Sequence, residues 1–356
     1  MAHVGVIFGG RSVEHQVSIR SARTVVQGLR AAGHQVTPLG IAQDGCWIDS
    51  EASEAVLSGG IAAIAPLEMP VAPTLRHLLA SGVEVLFPIV HGTWGEDGTL
   101  QGLCEMIDVA YVGPGVTASA LAMDKLLFKR QMIAAGVPAV EYAAVRRAEF
   151  ERDPRTFLDE AGRLPFPLFV KPSVGGSSVG VKKVSDPESL EASVRFALQF
   201  DETVIVERGV KGRELECAVL GYQKIEASAV GEIVPGNDFY DYADKYLQDT
   251  AKLIAPAELR PDLADRLREL AVRAFEAIGG VGLARVDFLV EGEGIYVNEI
   301  NTLPGFTSIS MYPRLWELSG VPLPKLVDRL VRIALERHRD RTGLDQGIKE
   351  FLGSLL

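Results

Sequence analysis

The chain has 356 residues, of which 47% are hydrophobic and 23% are charged, and this length predicts two or three domains with a well-buried interior. Its net charge of −11 argues against a nucleic-acid partner, because a phosphate backbone is bound by a basic face. The N-terminus lacks a signal-peptide pattern and no apolar run reaches 18 residues, so we expect a cytoplasmic protein without a membrane partner.

The three cysteines predict neither a zinc site nor a disulfide framework. Cys46, Cys104 and Cys217 lie far apart, and none belongs to a CxxC pair. We expect all three to be reduced thiols, mostly packed in the interior.

Residues 1–122 alternate strand-like and helix-like segments, which is the pattern of a parallel sheet with crossover helices. Strands are predicted at HVGVIFGG, HQVTPLGIA, VEVLFPIV and VAYVG, with helices from about Val17 to Ala32 and near 100–107. Residues 52–75 interrupt this rhythm with small residues and prolines, so we expect an insertion with little regular structure there.

Two further units follow, at 123–208 and 209–356. The second opens within a single predicted helix, ASALAMDKLLFKRQMIAAG, and continues through the strands PLFVKPS and ETVIVERG and a helix that begins with the capping pattern SDPESL. The third contains the strand ELECAVLGY and the helix LADRLRELAVRAFEAIGG, whose apolar residues recur at helical spacing and predict packing on a sheet.

The run LARVDFLVEGEGIYVNEIN reads as two strands, 283–290 and 295–300, joined by a glycine turn. Alternation along the second strand would point Glu299 and Asn301 to one side and Ile300 to the other, while the hairpin would bring Asp287 close to them. Such oxygen ligands suit magnesium or manganese beside nucleotide phosphates. Taken alone, an Asp and a Glu near strand ends are more often solvated turn residues.

The loop PSVGGSSVG follows a strand that carries Lys171. Its glycines would let backbone N–H groups approach an anion, with Ser177 and Ser178 as further donors, although it matches neither a P-loop nor GxGxxG. A plain surface loop is the alternative. Glu207 and Glu214 would suit a nucleotide's adenine and ribose or be rim charges, and Lys125 by default lies on a solvated helix face.

Near the N-terminus, Glu14 follows the first strand, at the end where open parallel sheets bind ligands. His91, Glu96 and Asp97 lie in the glycine-rich loop after VEVLFPIV. A histidine at such a place is more often structural, but an apolar strand that leads into a dense polar loop is typical of an active-site edge.

In this order, the motifs GGRSVEHQVS, HGTWGEDGTLQG, AMDKLLFKR, VKPSVGGSSVG, VERGVKGRELE, FYDYADKY, ARVDFLV and NEINTLPGFTSIS span almost the whole chain. The sequence resembles the ATP-grasp carboxylate–amine ligases and, among them, the D-alanine:D-alanine ligase family. The resemblance implies an α/β fold with an N-terminal parallel-sheet domain and two domains that sandwich ATP, and the ATP-dependent joining of two D-alanines for peptidoglycan precursors.

The resemblance also implies roles for the nucleotide-side residues. Two Mg²⁺ or Mn²⁺ ions would be held by Asp287, Glu299 and Asn301. Adenine and ribose would be gripped by Glu207 and Glu214. The remaining ATP contacts would come from Lys125, Lys171, Ser178 and Lys245.

On the substrate side, Glu14 would orient the first D-alanine's ammonium in a hydrogen-bonded set with Ser177 and Tyr246. Arg285 and the backbone N–H of Gly305 would face the developing oxyanion. Ser310 and Lys245 would lie around the second substrate's carboxylate and the transferred phosphate, and His91 would lie by the first substrate. A tyrosine at position 246 goes with amide-forming rather than ester-forming relatives.

The sequence leaves three alternatives open. The chain could be a D-alanine:D-lactate or D-serine ligase, another ATP-grasp carboxylate–amine ligase, or a non-catalytic nucleotide-binding protein. Glu14, Tyr246 and Ser310 argue against a different ligase, and the complete set of metal and phosphate ligands argues against a non-catalytic protein. We further expect a homodimer, in which segments 173–181 and 237–250 become ordered together when ligands bind.

Overall fold

Three β-sheets flanked by helices make up the described chain. The structure is a computed structural model that describes residues 1–59, 80, 82–236 and 252–354. No helix in those ranges is long and apolar enough to cross a membrane.

The first sheet is parallel, with strand order β2-β1-β3-β4. Its strands and helices are β1 His3–Gly9, α1 His15–Ala31, β2 Gln35–Ile41, α2 Ser50–Leu57, β3 Val85–Pro88, α3 Thr99–Met106 and β4 Ala110–Tyr111. Val4, Val6 and Phe8 of β1 are buried beneath α1. The predicted parallel sheet is therefore confirmed.

The prediction of little regular structure was wrong for 52–57, which belong to α2 because Asp49 caps that helix by accepting from Ala52 N–H. The rest of that segment, from residue 60, lies outside the described residues.

The single helix predicted across 118–136 is two helices, α4 Val116–Met123 and α5 Lys125–Ala134. The break occurs because Asp124 adopts an extended backbone and its carboxylate accepts the N–H groups of Leu126 and Leu127. Gly136 ends α5 in a left-handed conformation, as predicted for a C-terminal glycine.

The second sheet is antiparallel, with strand order β5-β8-β6-β7. It contains β5 Tyr142–Arg146, α6 Arg147–Arg152, α7 Pro154–Ala161, β6 Leu168–Pro172, β7 Lys182–Val184, a 3₁₀ turn Pro187–Ser189, α8 Leu190–Ala197 and β8 Thr203–Arg208. The capping pattern SDPESL begins the 3₁₀ turn rather than the helix itself: Asp186 caps that turn by accepting from Ser189 N–H, and α8 follows at Leu190.

The third sheet is antiparallel, with strand order β11-β10-β9-β12-β13. Its elements are β9 Arg213–Gly221, β10 Ile225–Val234, β11 Lys252–Ile254, α9 Pro261–Ala277, β12 Gly282–Glu291 and β13 Gly294–Asn301. The apolar face of α9, from Leu267 to Ala274, packs on this sheet as the periodicity predicts. The buried faces of β12 and β13 complete the same core.

The last helices connect the third sheet to the first. They are α10 Met311–Leu318 and α11 Leu323–Gly353. Leu326, Val327 and Leu330 of α11 share a core with Val25 and Leu29 of α1, so the C-terminal helix covers the N-terminal sheet. The domain boundaries at residues 122 and 208 stay a prediction.

Candidate active site

One cavity of about 490 Å³ lies where the three sheets meet, and it gathers every predicted site residue within the described ranges. Its lining includes all fourteen of them: Glu14, His91, Lys125, Lys171, Ser177, Ser178, Glu207, Glu214, Arg285, Asp287, Glu299, Asn301, Gly305 and Ser310. The other two predicted residues, Lys245 and Tyr246, lie outside the described residues.

The predicted hairpin is confirmed and carries an acidic row into the cavity. Asp287 of β12 lies opposite Glu299 of β13 and, on its other side, opposite Glu216 of β9. Ile300 is buried while Glu299 and Asn301 are partly exposed, so the predicted alternation holds. Like charges directly opposite one another are destabilising, and a row of three carboxylates therefore needs cations.

Arg285 supplies one of those cations. Its guanidinium donates to both carboxylate oxygens of Asp287, at 2.7 Å each, and its Nε lies 3.1 Å from Glu216 Oε1. Burial works against the charge of Arg285, but the two carboxylates outweigh it and hold its pKa well above the usual value. The planar fork of arginine suits this bidentate contact.

The oxygen atoms of Asp287, Glu299 and Asn301 suit a hard divalent cation as ligands. Asn301 Nδ2 donates to Asp287 Oδ2 at 2.9 Å, which places the Asn301 amide beside that carboxylate. In the described part of the chain, no group of three or more His, Cys, Asp and Glu side chains has the geometry of a complete metal site. Two carboxylates and an amide match magnesium, which takes few protein ligands and fills its shell with phosphates and water.

The opposite side of the cavity is basic. Glu207 is buried, with Lys171 Nζ 2.8 Å from its Oε2 and Lys129 Nζ 3.1 Å from its Oε1. Burial alone would raise the pKa of Glu207, but the two lysines more than offset burial and lower it. The alternative that Glu207 is a solvated rim charge is therefore wrong.

Lys125 is not on a solvated helix face either. The break at Asp124 places it in the first turn of α5, where Lys125 Nζ donates to the carbonyl of Gly175 in the glycine loop at 2.6 Å. Burial lowers the pKa of Lys125, although Glu299 raises it. Ser173 Oγ ties the loop to the helix by donating to Asp124 Oδ1 at 2.5 Å.

The corner around Glu14 contains the glycine-rich loop after β3. A side chain at Gly92 would lie only 2.7 Å from a carboxylate oxygen of Glu14, so glycine permits this close approach. A side chain at Gly176 would lie 3.7 Å from the same oxygen, so the glycine loop PSVGGSSVG reaches Glu14.

His91 is fixed by hydrogen bonds on both ring nitrogens. Nδ1 lies 2.8 Å from the carbonyl of Leu303 and Nε2 lies 2.9 Å from Ser21 Oγ. Because a carbonyl only accepts, Nδ1 carries the proton and Nε2 accepts from the Ser21 hydroxyl. Burial lowers the pKa of His91, although Glu14 raises it, so the ring is neutral and Ser21 in turn accepts from Phe306 N–H at 3.1 Å.

Glu96 is a buried acid beside this histidine. Its Oε1 accepts from Gly92 N–H at 3.0 Å and lies 3.8 Å from His91 Nδ1. Burial raises the pKa of Glu96 to about 8, and the nearby Glu14 adds to the rise. A carboxyl group of this kind is neutral at pH 7.

Gly305 and Ser310 lie together after β13. A side chain at Gly305 would lie 2.9 Å from Ser310 Oγ, so only glycine leaves its backbone accessible there. Ser310 Oγ accepts from Thr307 N–H at 2.9 Å, at the start of α10.

Four polar residues of the site carry no assignment from the sequence motifs: Ser21, Glu96, Lys129 and Glu216. Two of them had a local signal. Lys129 follows Lys125 by one helical turn and Glu216 follows Glu214 by the strand period of two, so each shares the face of an assigned residue. Ser21 acquires its role only through partners from distant parts of the chain, His91 and Phe306, and the state of Glu96 depends on its burial by the folded chain.

Comparison with known families accounts for most of the chain. The family described as D-ala D-ala ligase N-terminus matches residues 3–114, and the family described as D-ala D-ala ligase C-terminus matches residues 132–332. A D-alanine–D-alanine ligase of Solibacter usitatus is 45% identical over 340 residues, covering 95% of this chain and 97% of that protein. D-alanine–D-alanine ligase A of Escherichia coli is 44% identical, with 94% and 96% coverage.

Solved structures agree with these relatives. The D-alanine-D-alanine ligase from Coxiella burnetii is 33% identical, with a TM-score of 0.82 and 99% of each chain covered. The VanG D-Ala:D-Ser ligase from Enterococcus faecalis is 31% identical with the same TM-score of 0.82, and covers 94% of this chain and 99% of its own. These folds confirm the predicted ATP-grasp architecture. The chain belongs to the D-alanine–D-alanine ligase family.

Proposed function

We propose that this protein joins two D-alanine molecules into D-alanyl-D-alanine, a peptidoglycan precursor, and cleaves ATP to ADP and phosphate. The observation that carries the proposal is the single cavity of about 490 Å³ that gathers acidic, basic and substrate-side residues from three sheets. Relatives named D-alanine–D-alanine ligase share 42–45% identity with nearly the whole chain. Such a site can hold a nucleotide and two amino acids side by side.

The first step activates a carboxylate. The carboxylate oxygen of one D-alanine attacks the γ-phosphorus of ATP, and the bond to the β-phosphate oxygen breaks. ADP is the leaving group, and D-alanine becomes an acyl phosphate. Lys125 and Lys171 neutralise the phosphates, and the glycine loop with Ser177 and Ser178 covers them. The chemistry is mostly positioning and charge neutralisation.

Asp287, Glu299 and Asn301 would hold two magnesium ions, which would supply positive charge that reduces the repulsion between nucleophile and nucleotide. The support for this assignment is the donor chemistry and the acidic row across β9, β12 and β13. Arg285, bound to Asp287 and Glu216, is fixed in place before any ligand arrives.

The second step forms the amide. The neutral amine of the second D-alanine attacks the acyl carbon, the carbonyl oxygen gains negative charge, and collapse expels phosphate while the amine loses its proton. Arg285 and the N–H of Gly305 stabilise the oxyanion. Glu14 binds the first ammonium, His91 and Ser310 lie by the substrate carboxylates, and Lys245 and Tyr246 keep the roles that the resemblance implies.

The charged residues at the nucleotide end of the cavity indicate how ATP would lie there. Glu207 and Glu214 would contact adenine and ribose, and Lys171 lies between Glu207 and the glycine loop. The ion pair of 2.8 Å between Lys171 and Glu207 supports this order along the cavity.

The proposal is tested by ADP release with purified protein, ATP, magnesium and D-alanine, with L-alanine as the control substrate. We expect ADP release that requires D-alanine and a dipeptide of the expected mass. Tight ATP binding without turnover would support the non-catalytic alternative, whereas preferential use of D-lactate or D-serine as acceptor would overturn the acceptor assignment.

We also propose that the enzyme is a cytoplasmic homodimer without nucleic-acid or membrane partners. The net charge of −11 supports the absence of a nucleic-acid partner. Light scattering of the purified chain would test the dimer, and a mass of one chain at micromolar concentration would contradict it.

A further inference from the structure

Lys129 is a buried ammonium group behind the nucleotide end of the cavity. Its side chain is 1% exposed and does not line the cavity, whereas Glu207 and Lys171 do. It lies on α5 one turn after Lys125, with Nζ 3.1 Å from Glu207 Oε1 and 3.5 Å from the carbonyl of Val140. The order from the cavity inward is therefore Lys171, Glu207 and Lys129.

A lysine is almost never fully buried without a specific partner, because removing its charge from water is costly. Here the partner is Glu207, and it has a second lysine on its other oxygen. Tyr142 of β5 is the cross-strand partner of Glu207 and places its ring 5.9 Å from Lys129 Nζ, which adds a weaker cation–π contact. Three elements thus fix the ammonium at one point.

The count of charges shows what Lys129 does. Two ammonium groups and one carboxylate leave a net charge of +1 at this end of the cavity. Without Lys129 the remaining pair would be neutral, and Glu207 would hold Lys171 with its full charge. Lys129 therefore weakens the hold of Glu207 on Lys171.

We propose that Lys129 is a positioning residue for the nucleotide: it shares the charge of Glu207, so that Lys171 stays available to the phosphates. The inference rests on the proposed function, because it takes the anion at Lys171 to be a nucleotide phosphate. Lys129 itself touches neither the phosphates nor the amino acids, since it lies behind Glu207. Its effect should appear in the KM for ATP and leave the KM for D-alanine unchanged.

The first experiment compares Lys129→Met and Lys129→Gln with the wild type in the ADP-release assay. We expect the KM for ATP to rise about tenfold or more in both variants, because Glu207 would then hold Lys171 with its full charge and leave it less available to the phosphates. Glutamine keeps a donor for Glu207 but no charge, so an effect in methionine alone would indicate that the hydrogen-bond donor rather than the charge of Lys129 matters, and it would overturn the proposal. Arg130→Met, which removes a charge from the exposed side of the same helix, should leave both KM values unchanged.

The second experiment tests whether Lys129 acts through Glu207. If it does, Lys129→Met has little effect on the KM for ATP once Glu207→Gln has removed the carboxylate charge. A role in packing would give the same effect in both backgrounds and would overturn the proposal. The double variant removes both members of a buried pair and so should fold, which keeps the comparison with Glu207→Gln decisive even if the single lysine variants do not fold.

The outcomes separate this inference from the proposed function. Wild-type protein that releases no ADP with D-alanine contradicts the function itself. Wild-type turnover together with an unchanged KM for ATP in Lys129→Met and Lys129→Gln contradicts only the role of Lys129.

Discussion

The two ends of the cavity carry paired charges with opposite excess. At the hairpin end, the carboxylates of Glu216, Asp287 and Glu299 are set against the single guanidinium of Arg285. At the basic end, the ammonium groups of Lys129 and Lys171 lie on either side of the carboxylate of Glu207. Counted over these named side chains, the first cluster has a net charge of −2 and the second a net charge of +1.

This difference separates structural ion pairs from clusters that attract a ligand. An ion pair that balances its charges is weak evidence for function, because it serves equally well as structure. The net charge of each cluster indicates which charge of ligand it attracts. A surplus of carboxylates attracts divalent cations, whereas a surplus of ammonium groups attracts phosphates.

Removal of one carboxylate from the acidic end should have the largest effect. We expect Glu299→Gln to lower kcat/KM roughly 100-fold or more, since loss of outer-shell partners of a metal alone costs 10–100-fold. The melting temperature should stay near the wild-type value, because charge is lost while volume is kept. ADP release across a magnesium titration measures the effect, and the half-saturating magnesium concentration should rise.

The matched control is Glu293→Gln in the turn of the same hairpin. Glu293 is exposed and pairs only at the surface with Arg260, and such pairs contribute little. Near-wild-type turnover of Glu299→Gln at ordinary magnesium would exclude Glu299 as a metal ligand.

The sequence predicted the acidic end better than the basic end, for a physical reason. Asp287 and Glu299 belong to one hairpin, so the glycine turn and the strand period are enough to bring them together. Lys129 and Glu207 are 78 residues apart, and their contact depends on how α5 packs against β8. The expectation of one continuous helix also hid the position of Lys125, because the chain breaks where Asp124 caps α5 and accepts from Ser173, 49 residues away.

Removal of Lys171 should have the next largest effect, and it should alter the KM for ATP rather than the magnesium dependence. We expect Lys171→Met to raise the KM for ATP about 10–100-fold, the usual cost of a hydrogen bond to a charged group. The magnesium dependence should keep its wild-type midpoint, because the acidic end is intact. Steady-state kinetics at several magnesium concentrations separate the two effects.

Lys182→Met is the control for that variant. Lys182 lies on β7 next to β6, on the exposed side, with its ammonium over the ring of Phe196. If Lys171→Met shifted the magnesium midpoint as strongly as Glu299→Gln, the two ends would act as one site and the comparison would fail.

A third region of the cavity balances its charge by a proton rather than by a partner. Glu96 lies beside neutral His91, and Glu14 is a further negative charge. No sequence pattern could predict this state, because the pKa of Glu96 depends on burial by the folded chain. The proton on Glu96 makes the free energy of unfolding depend on pH around neutrality.

The smallest predicted effect concerns stability against pH. The pKa of Glu96 is about 8 in the folded protein and 4.5 in an ordinary solvated glutamate. Between these values the folded state binds more protons than the unfolded state, so the free energy of unfolding falls as pH rises. One proton contributes up to about 1.4 kcal/mol per pH unit, and the loss ends above pH 8.

Glu96→Gln should remove this dependence, because an amide stays neutral at every pH and its oxygen can still accept from Gly92 N–H. We therefore expect the variant to gain stability relative to the wild type from pH 5 to pH 8, as measured by urea unfolding at several pH values. Glu269→Gln, at an exposed position on α9, should change this pH dependence little. If the difference between Glu96→Gln and wild type is the same at pH 5 and pH 8, Glu96 is ionised in the folded protein, and this corner is charged like the two ends.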